Sequence, residues 1–386
     1  MVDRSLDEFA RRKLNALERR ELRRSLVTTE RFDGRRVRSH GRELISFSCN
    51  DYLGLSHRSD VVEASLEATR RYGVGSGASR LITGNHALYA KLEERLAALK
   101  DTEDSVVFGS GYLTNVGVIP LLAGEADLII MDEFCHSCLR SGAALSRAKT
   151  LRFAHNDPAD AAAVLAARRG RHRRCVLLTE GVFSMEGDLA PLPELCELAE
   201  RFDAWLMTDD AHGLGVVGDG RGSSFAFHEP VPVPLQMGTL SKAAGSYGGY
   251  VCASHDVCEL IRNRARSFGF STGLPPGTVA AAASALCIIA TDKALVRIPR
   301  SRARLFTATL GLEPAESAVV PLELGSAART VEASLMLREA GFLVAAIRPP
   351  TVPDGTSRLR FAFSAAHSER DVLDLAEAVE PILAGR

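Results

Sequence analysis

Apolar and polar positions alternate along the 386-residue chain in blocks rather than residue by residue. Short apolar runs recur at Ser105-Val-Val-Phe108, Leu128-Ile-Ile-Met131, Leu151-Arg-Phe153, Cys175-Val-Leu-Leu-Thr179 and Ala204-Trp-Leu-Met-Thr208. Gln236-Met-Gly-Thr239 and Tyr250-Val-Cys-Ala253 continue the series. Between them lie stretches with helical periodicity, at 87–100, 137–147, 158–169, 193–202, 256–266 and 278–290. Strands that are apolar on both faces are those of a parallel sheet covered on both sides by helices. The pattern predicts an α/β fold.

The flanks have a different texture. Residues 3–25 predict an arginine-rich amphipathic helix, with Leu6, Phe9, Leu14, Leu17 and Leu22 near one face, suited to packing on a body or a partner subunit. Val37 to Phe47 predicts a hairpin turning at Ser39-His40-Gly41, and 60–72 a helix. From about residue 291 the order becomes helix, strands and helices, including 328–341 and 368–384, which predicts a smaller α+β lobe. The expected division is an N-terminal helix and hairpin segment (1–48), a large domain (49–290) and a small C-terminal domain (291–386).

Composition narrows the function classes. Forty-seven basic and 48 acidic residues leave a net charge of −1, which gives no support for nucleic acid as a partner. No apolar run has the length of a membrane span, so no membrane partner is expected. Asp7, Glu8, Glu18 and Glu21 interrupt the basic N-terminal stretch, which argues against a signal or transit peptide. Eight scattered cysteines predict reduced thiols and a cytoplasmic location. Cys135-x-x-Cys138 flanks His136, but no second ligand pair stands at a zinc-like spacing, so no metal is expected.

Candidate chemistry centres on Lys242 within Gly238-Thr-Leu-Ser-Lys242-Ala-Ala-Gly-Ser-Tyr-Gly-Gly249. Of six lysines, Lys13, Lys91, Lys100, Lys149 and Lys293 sit in polar surroundings and read as solvated surface groups. Lys242 lies among small residues and glycines, where desolvation favours the neutral amine that attacks a carbonyl. Other motifs also follow predicted strands: Gly111-Tyr112, His136, Thr179-Glu180 to Ser184, and Asp209-Asp210-Ala211-His212. Open α/β sheets bind ligands at that edge. Asp209 alone reads as a helix cap and His136 alone as a core histidine; their convergence with Lys242 suits pyridoxal 5′-phosphate, which needs an amine, a carboxylate and phosphate donors. Gly213-x-Gly215-x-x-Gly218 matches a dinucleotide fingerprint, but the Asp219–Ser224 stretch after it cannot open a helix, so nicotinamide binding is not expected.

Thr239-Leu-Ser-Lys242, Asp209-Asp-Ala-His212-Gly, Thr179-Glu-Gly-Val-Phe-Ser-Met-Glu-Gly-Asp188 and Asn50-Asp-Tyr-Leu-Gly-Leu55 together resemble the α-oxoamine synthases, from about Arg23 to about Glu380. The resemblance implies fold type I of the pyridoxal-phosphate enzymes, the aspartate-aminotransferase-like fold, with a mostly parallel central sheet and a smaller α+β C-terminal domain. It implies decarboxylative condensation of an amino acid with an acyl thioester, on coenzyme A or an acyl carrier protein, in a homodimer with shared active sites. Lys242 would hold the cofactor's aldehyde and Asp209 its pyridine nitrogen; His136 would stack on the ring, and His212 with Ser184 would bind its phenolic oxygen. Gly111, Tyr112 and Thr239 would serve the phosphate, with Ser271 or Thr272 from the second subunit. Arg23, Asn50, His136, Arg348, Thr351 and Arg360 would bind substrate. The run Ala346-Ile-Arg348-Pro-Pro-Thr351 to Arg360 is most similar to the branch that uses L-alanine and a pimeloyl thioester; sister enzymes use glycine or serine. A non-catalytic subunit would be expected to lack Lys242. Tyr89, Thr114, Cys138 and Phe270 depart from the family's usual residues, and bear on substrate identity rather than reaction class.

Overall fold

The computed structural model describes residues 4–20, 22–24 and 26–385. The first helix spans Ser5–Arg19 and stops short of the predicted end, because Arg20 and Leu22 both donate back to the Leu17 carbonyl. Residues 3, 21 and 25 of that prediction lie outside the described residues. Leu6, Phe9, Leu14 and Leu17 remain exposed on this helix.

Three short strands follow: β1 (Thr29–Arg31), β2 (Arg36–Ser39) and β3 (Arg42–Ser46). β2 and β3 form the predicted hairpin, with His40 and Gly41 at φ of 51° and 75°. Two positive φ values match the twist of a two-residue hairpin turn.

The main sheet contains β4 (Asp104–Phe108), β5 (Leu128–Asp132), β6 (Lys149–Phe153), β7 (Cys175–Glu180), β8 (Trp205–Asp209), β9 (Leu235–Thr239) and β10 (Gly249–Ala253). Their spatial order is β4-β10-β9-β8-β7-β5-β6. Only β10 is antiparallel to its neighbours, so the other six strands end at one edge. Side chains alternate across the sheet. Val106 and Phe108 join a core with the helices Gly111–Leu122 and Ser137–Ser146, while Val107 joins one with the helices Leu88–Lys100 and Pro276–Thr291. The sheet is thus covered on both faces, as its apolar strands require. The Gly213–Gly218 stretch opens only short 3-10 turns. No single helix among the described residues is long and apolar enough to cross a membrane.

The C-terminal lobe adds β11 (Val319–Gly325), β12 (Phe342–Leu343), β13 (Ala345–Ile347) and β14 (Ser357–Ala362). β14 lies between β11 and β13, whereas β12 pairs in parallel with β3. Phe47 completes this lobe's core, its ring centroid 5.5 Å from that of Phe363. The N-terminal hairpin is therefore built into the C-terminal lobe.

The loop after β7 is clamped to that lobe. Ser317 Oγ donates to the Gly187 carbonyl at 2.6 Å, and Gly187 sits at φ 77°. A Cβ there would overlap the Val319 carbonyl. Gly187→Ala is expected to lower stability by on the order of 1–3 kcal/mol, read from the urea midpoint, because it combines left-handed strain with a backbone clash.

Candidate active site

Lys242, His136, Asp209 and His212 converge with Gly111, Tyr112 and Thr239 on a cavity of about 170 Å³ at the edge where the parallel strands end. Glu180, Cys138, Ser110 and Ser241 add to its polar lining.

The turn carrying Lys242 is fixed by its own backbone. Gly245 donates to the Lys242 carbonyl at 2.9 Å and Ser246 to the Leu240 carbonyl at 3.0 Å. Gly245, at φ 62°, lies against the Leu55–Ser56 backbone with no room for a Cβ. Burial pushes the Lys242 amine below its ordinary pKa, while Asp209 and Glu180 act in the opposite direction without cancelling the effect. The result is an amine biased toward its nucleophilic form.

Asp209, the last residue of β8, accepts from Asn115 Nδ2 at 2.8 Å and from the Ala211 amide at 3.1 Å. Cys138 Sγ lies 3.7 Å from the same carboxylate and 2.8 Å from His136 Nδ1. His136 caps the helix Ser137–Ser146 and opens to solvent through the cavity. Desolvation by the protein around it nevertheless lowers its pKa; Asp209 opposes the shift and Lys242 adds to it. Glu180 receives the His136 amide at 2.7 Å and the Ser184 amide at 3.1 Å. Burial, reinforced by Asp209, raises the Glu180 carboxyl well above the usual range.

His212 is buried, and burial pushes its pKa far down, with Lys242 acting in the same direction. Tyr52 Oη is 2.6 Å from its Nδ1 and 3.3 Å from Asn50 Oδ1. The Tyr52–Nδ1 contact fixes the orientation of the His212 ring. Arg360 donates to the Ser184 carbonyl at 2.6 Å, to Asn50 Oδ1 at 3.1 Å and to Tyr52 Oη at 3.4 Å. It is buried without a carboxylate partner among the described residues, which suits it to an anionic substrate.

On the phosphate side, Ser110 caps the helix Gly111–Leu122 by accepting from the Leu113 amide at 3.2 Å. A Cβ on Gly111 would stand 3.2 Å from Met237 Cε and 3.3 Å from Thr239 Cβ, so the glycine leaves its backbone open to the cavity. Thr239 Oγ1 lies 2.8 Å from Ser241 Oγ. An amine, a carboxylate, two histidines and a helix amino terminus with hydroxyls thus occur together, and this donor set fits pyridoxal 5′-phosphate.

Several predicted residues lie elsewhere. Ser184 is buried behind the cavity rather than lining it. Arg23 is exposed and pairs with Glu18 at 3.0 Å, while Arg24 Nη2 instead reaches Thr351 Oγ1 at 3.0 Å. Arg348, Thr351 and the prolines between them belong to the loop after β13, where Thr351 borders a separate cavity of about 380 Å³ with Arg20 and Leu22. Ser271 and Thr272 line a surface recess beside Phe270, outside the Lys242 cavity of the same chain. Glu180, Tyr52 and Asn115 were absent from the predicted site. Glu180 and Tyr52 stood inside quoted motifs, whereas Asn115 had no local signal. Lys100, expected in solvent, is fully buried.

A second polar cluster braces the site. His155 Nδ1 lies 3.1 Å from Asp132 and its Nε2 2.9 Å from Asp188. Burial alone would lower its pKa, but the two carboxylates outweigh it and raise the value from 6.5 to about 10. A raised folded-state pKa contributes stability that is fully present below about 6.5 and lost as pH rises through about 10. The melting-temperature gap between wild type and His155→Gln is therefore expected to be widest near pH 6 and to shrink as pH passes 10.

The family model for class I and II aminotransferases matches residues 42–379. The 8-amino-7-oxononanoate synthase of Beijerinckia indica subsp. indica is 55% identical over 380 residues, 98% of each chain. That of Methylocella silvestris is 57% identical over 343 residues, 89% of this chain and 98% of its own. Among solved structures, a serine palmitoyltransferase from S. paucimobilis with a bound PLP–myriocin aldimine superposes with a TM-score of 0.90 at 27% identity, covering 100% of both chains. The chain belongs to the 8-amino-7-oxononanoate synthase family of pyridoxal 5′-phosphate enzymes.

Proposed function

We propose that this chain joins L-alanine to a pimeloyl thioester, carried on coenzyme A or an acyl carrier protein, and forms 8-amino-7-oxononanoate, carbon dioxide and the free thiol. It works in the cytoplasm as a homodimer, with Ser271 and Thr272 of each copy completing the phosphate side of the other. The observation that carries this reading is the convergence of Lys242, Asp209 and His136 on one cavity in a chain 55% identical to a named synthase over nearly its whole length.

Lys242 would hold the cofactor at its aldehyde, Asp209 at the ring nitrogen, and Gly111, Tyr112 and Thr239 at the phosphate. His136 and His212 would flank the ring. The bound cofactor supplies an electron sink for the substrate's α-carbon. Once the substrate's amine has taken its place at the aldehyde, the freed Lys242 Nζ, biased toward the neutral amine, removes the α-proton and returns one after the carboxylate has left as carbon dioxide. Arg360 and Asn50 hold the substrate carboxylate, and the His212 ring, oriented by Tyr52, borders the cavity. Arg348 and Thr351 sit on the loop expected to meet the acyl donor. The α-carbon forms its new bond to the acyl carbonyl carbon while the thiolate departs. Orientation of the reacting groups is the protein's main contribution.

The structural likeness to serine palmitoyltransferase, at a TM-score of 0.90, favours one second reading: a sister synthase that uses serine or glycine. Titration of the holoprotein's visible band with alanine, glycine and serine separates them. A shift with alanine, followed by product with pimeloyl thioester, is expected. A response to serine or glycine alone would keep the family and replace the substrate. Lys242→Ala is expected to fold and to lose at least about 10³-fold in product formation, measured by mass spectrometry, because it lacks the proton-transfer group.

A further inference from the structure

Lys100 is the last residue of the helix Leu88–Lys100 and has no exposed surface. A buried ammonium is tolerated only when paired and hydrogen-bonded. Its Nζ donates to Asp210 Oδ2 at 2.7 Å and to the Arg221 carbonyl at 2.7 Å. Asp210 is equally buried and also receives the Ser223 amide at 3.1 Å. Glycines surround this pair: a Cβ on Gly213 or Gly222 would overlap the Asp210 carboxylate, and one on Gly181 would stand 2.7 Å from Asp210 Oδ1.

The pair lies directly beneath the candidate site. Asp210 follows Asp209, and the two side chains leave opposite faces of the sheet. Asp209 meets Asn115 and Cys138, while Asp210 meets Lys100. The Asp210 amide donates to the Met237 carbonyl at 2.8 Å, and its own carbonyl receives Gly213 and Leu214, both at 3.1 Å. Asp210 thus anchors the middle of the turn from Asp209 to His212 through its amide, its carbonyl and its carboxylate. Lys100 also accepts, through its carbonyl, from Gln236 Nε2 at 3.2 Å. Gln236 belongs to β9, the strand that leads to Lys242. One residue therefore ties a helix to both strands that deliver the central groups.

We propose that Lys100 is a positioning residue: by neutralising and holding Asp210 it fixes the turn Asp209-Asp210-Ala211-His212, so that Asp209 and His212 keep their places in the cavity. It touches neither cofactor nor substrate. The inference rests on the cofactor assignment made above. Without Lys100, Asp210 is a buried carboxylate with no cation, and the turn relaxes toward any compensating group it can reach.

The test uses Lys100→Met and the charge-balanced Lys100→Met/Asp210→Asn, each prepared as apoprotein and titrated with pyridoxal 5′-phosphate by visible absorbance. Wild type is the control; if it binds no cofactor, the assignment of the site fails rather than this proposal. With wild type binding, Lys100→Met is expected to weaken cofactor affinity at least tenfold. In the loaded protein it should lower kcat at least tenfold, with KM for alanine changed less than threefold. The double variant is expected to melt close to wild type as apoprotein yet remain weakened in affinity and kcat, because charge balance is restored without the tie. Should Lys100→Met fail to fold, the double variant carries both readouts. Wild-type affinity and kcat in either folded variant would overturn the proposal.

Discussion

The site depends on enclosing one amine and two carboxylates at the end of a sheet. Burial pushes Lys242 toward neutrality and Glu180 toward its protonated form, while each opposes the other's shift. Neither could sit there alone without a large desolvation cost. Together with Asp209 they form one polar set on the cavity wall. Perturbed groups of this kind mark sites of chemistry when they share a cleft.

The fold holds the set by placing the carboxylates at strand ends and the amine on a hydrogen-bonded turn just past a third strand. Asp209 and Glu180 close parallel strands, His136 caps one helix, and Gly111 opens another. The C-terminal lobe contributes from β14: Arg360 donates to the Ser184 carbonyl, and Arg358 pairs with Glu186 at 3.1 Å. The loop after β7 is therefore held from both sides, by the main sheet through Glu180 and by the smaller lobe through two arginines. A substrate carboxylate drawn to Arg360 would be placed within one hydrogen-bonded chain that runs through Tyr52 to His212.

Much of this was legible in sequence because it depends on local pattern. Strands apolar on both faces announce a covered parallel sheet, and motifs at their ends announce a ligand edge. What was not legible depends on distance along the chain. The β3–β12 pairing joins segments about 300 residues apart, and a two-residue parallel strand carries no periodicity of its own. Lys100 looked like an ordinary polar helix end, and its partner lies 110 residues away. Asn115 sits in an apolar helix with nothing to mark its bond to Asp209, 94 residues on. Arg23 and Arg24 are equivalent in sequence texture, and it is Arg24 that reaches Thr351.

The central claim is that Lys242, and no other amine, receives the cofactor. Borohydride reduction of the holoprotein followed by peptide mapping tests it directly. A single pyridoxyl adduct on the peptide containing Lys242 is the result this account predicts. Label at Lys91, Lys149 or Lys293, or no covalent label in protein that carries the cofactor's visible band, would contradict it.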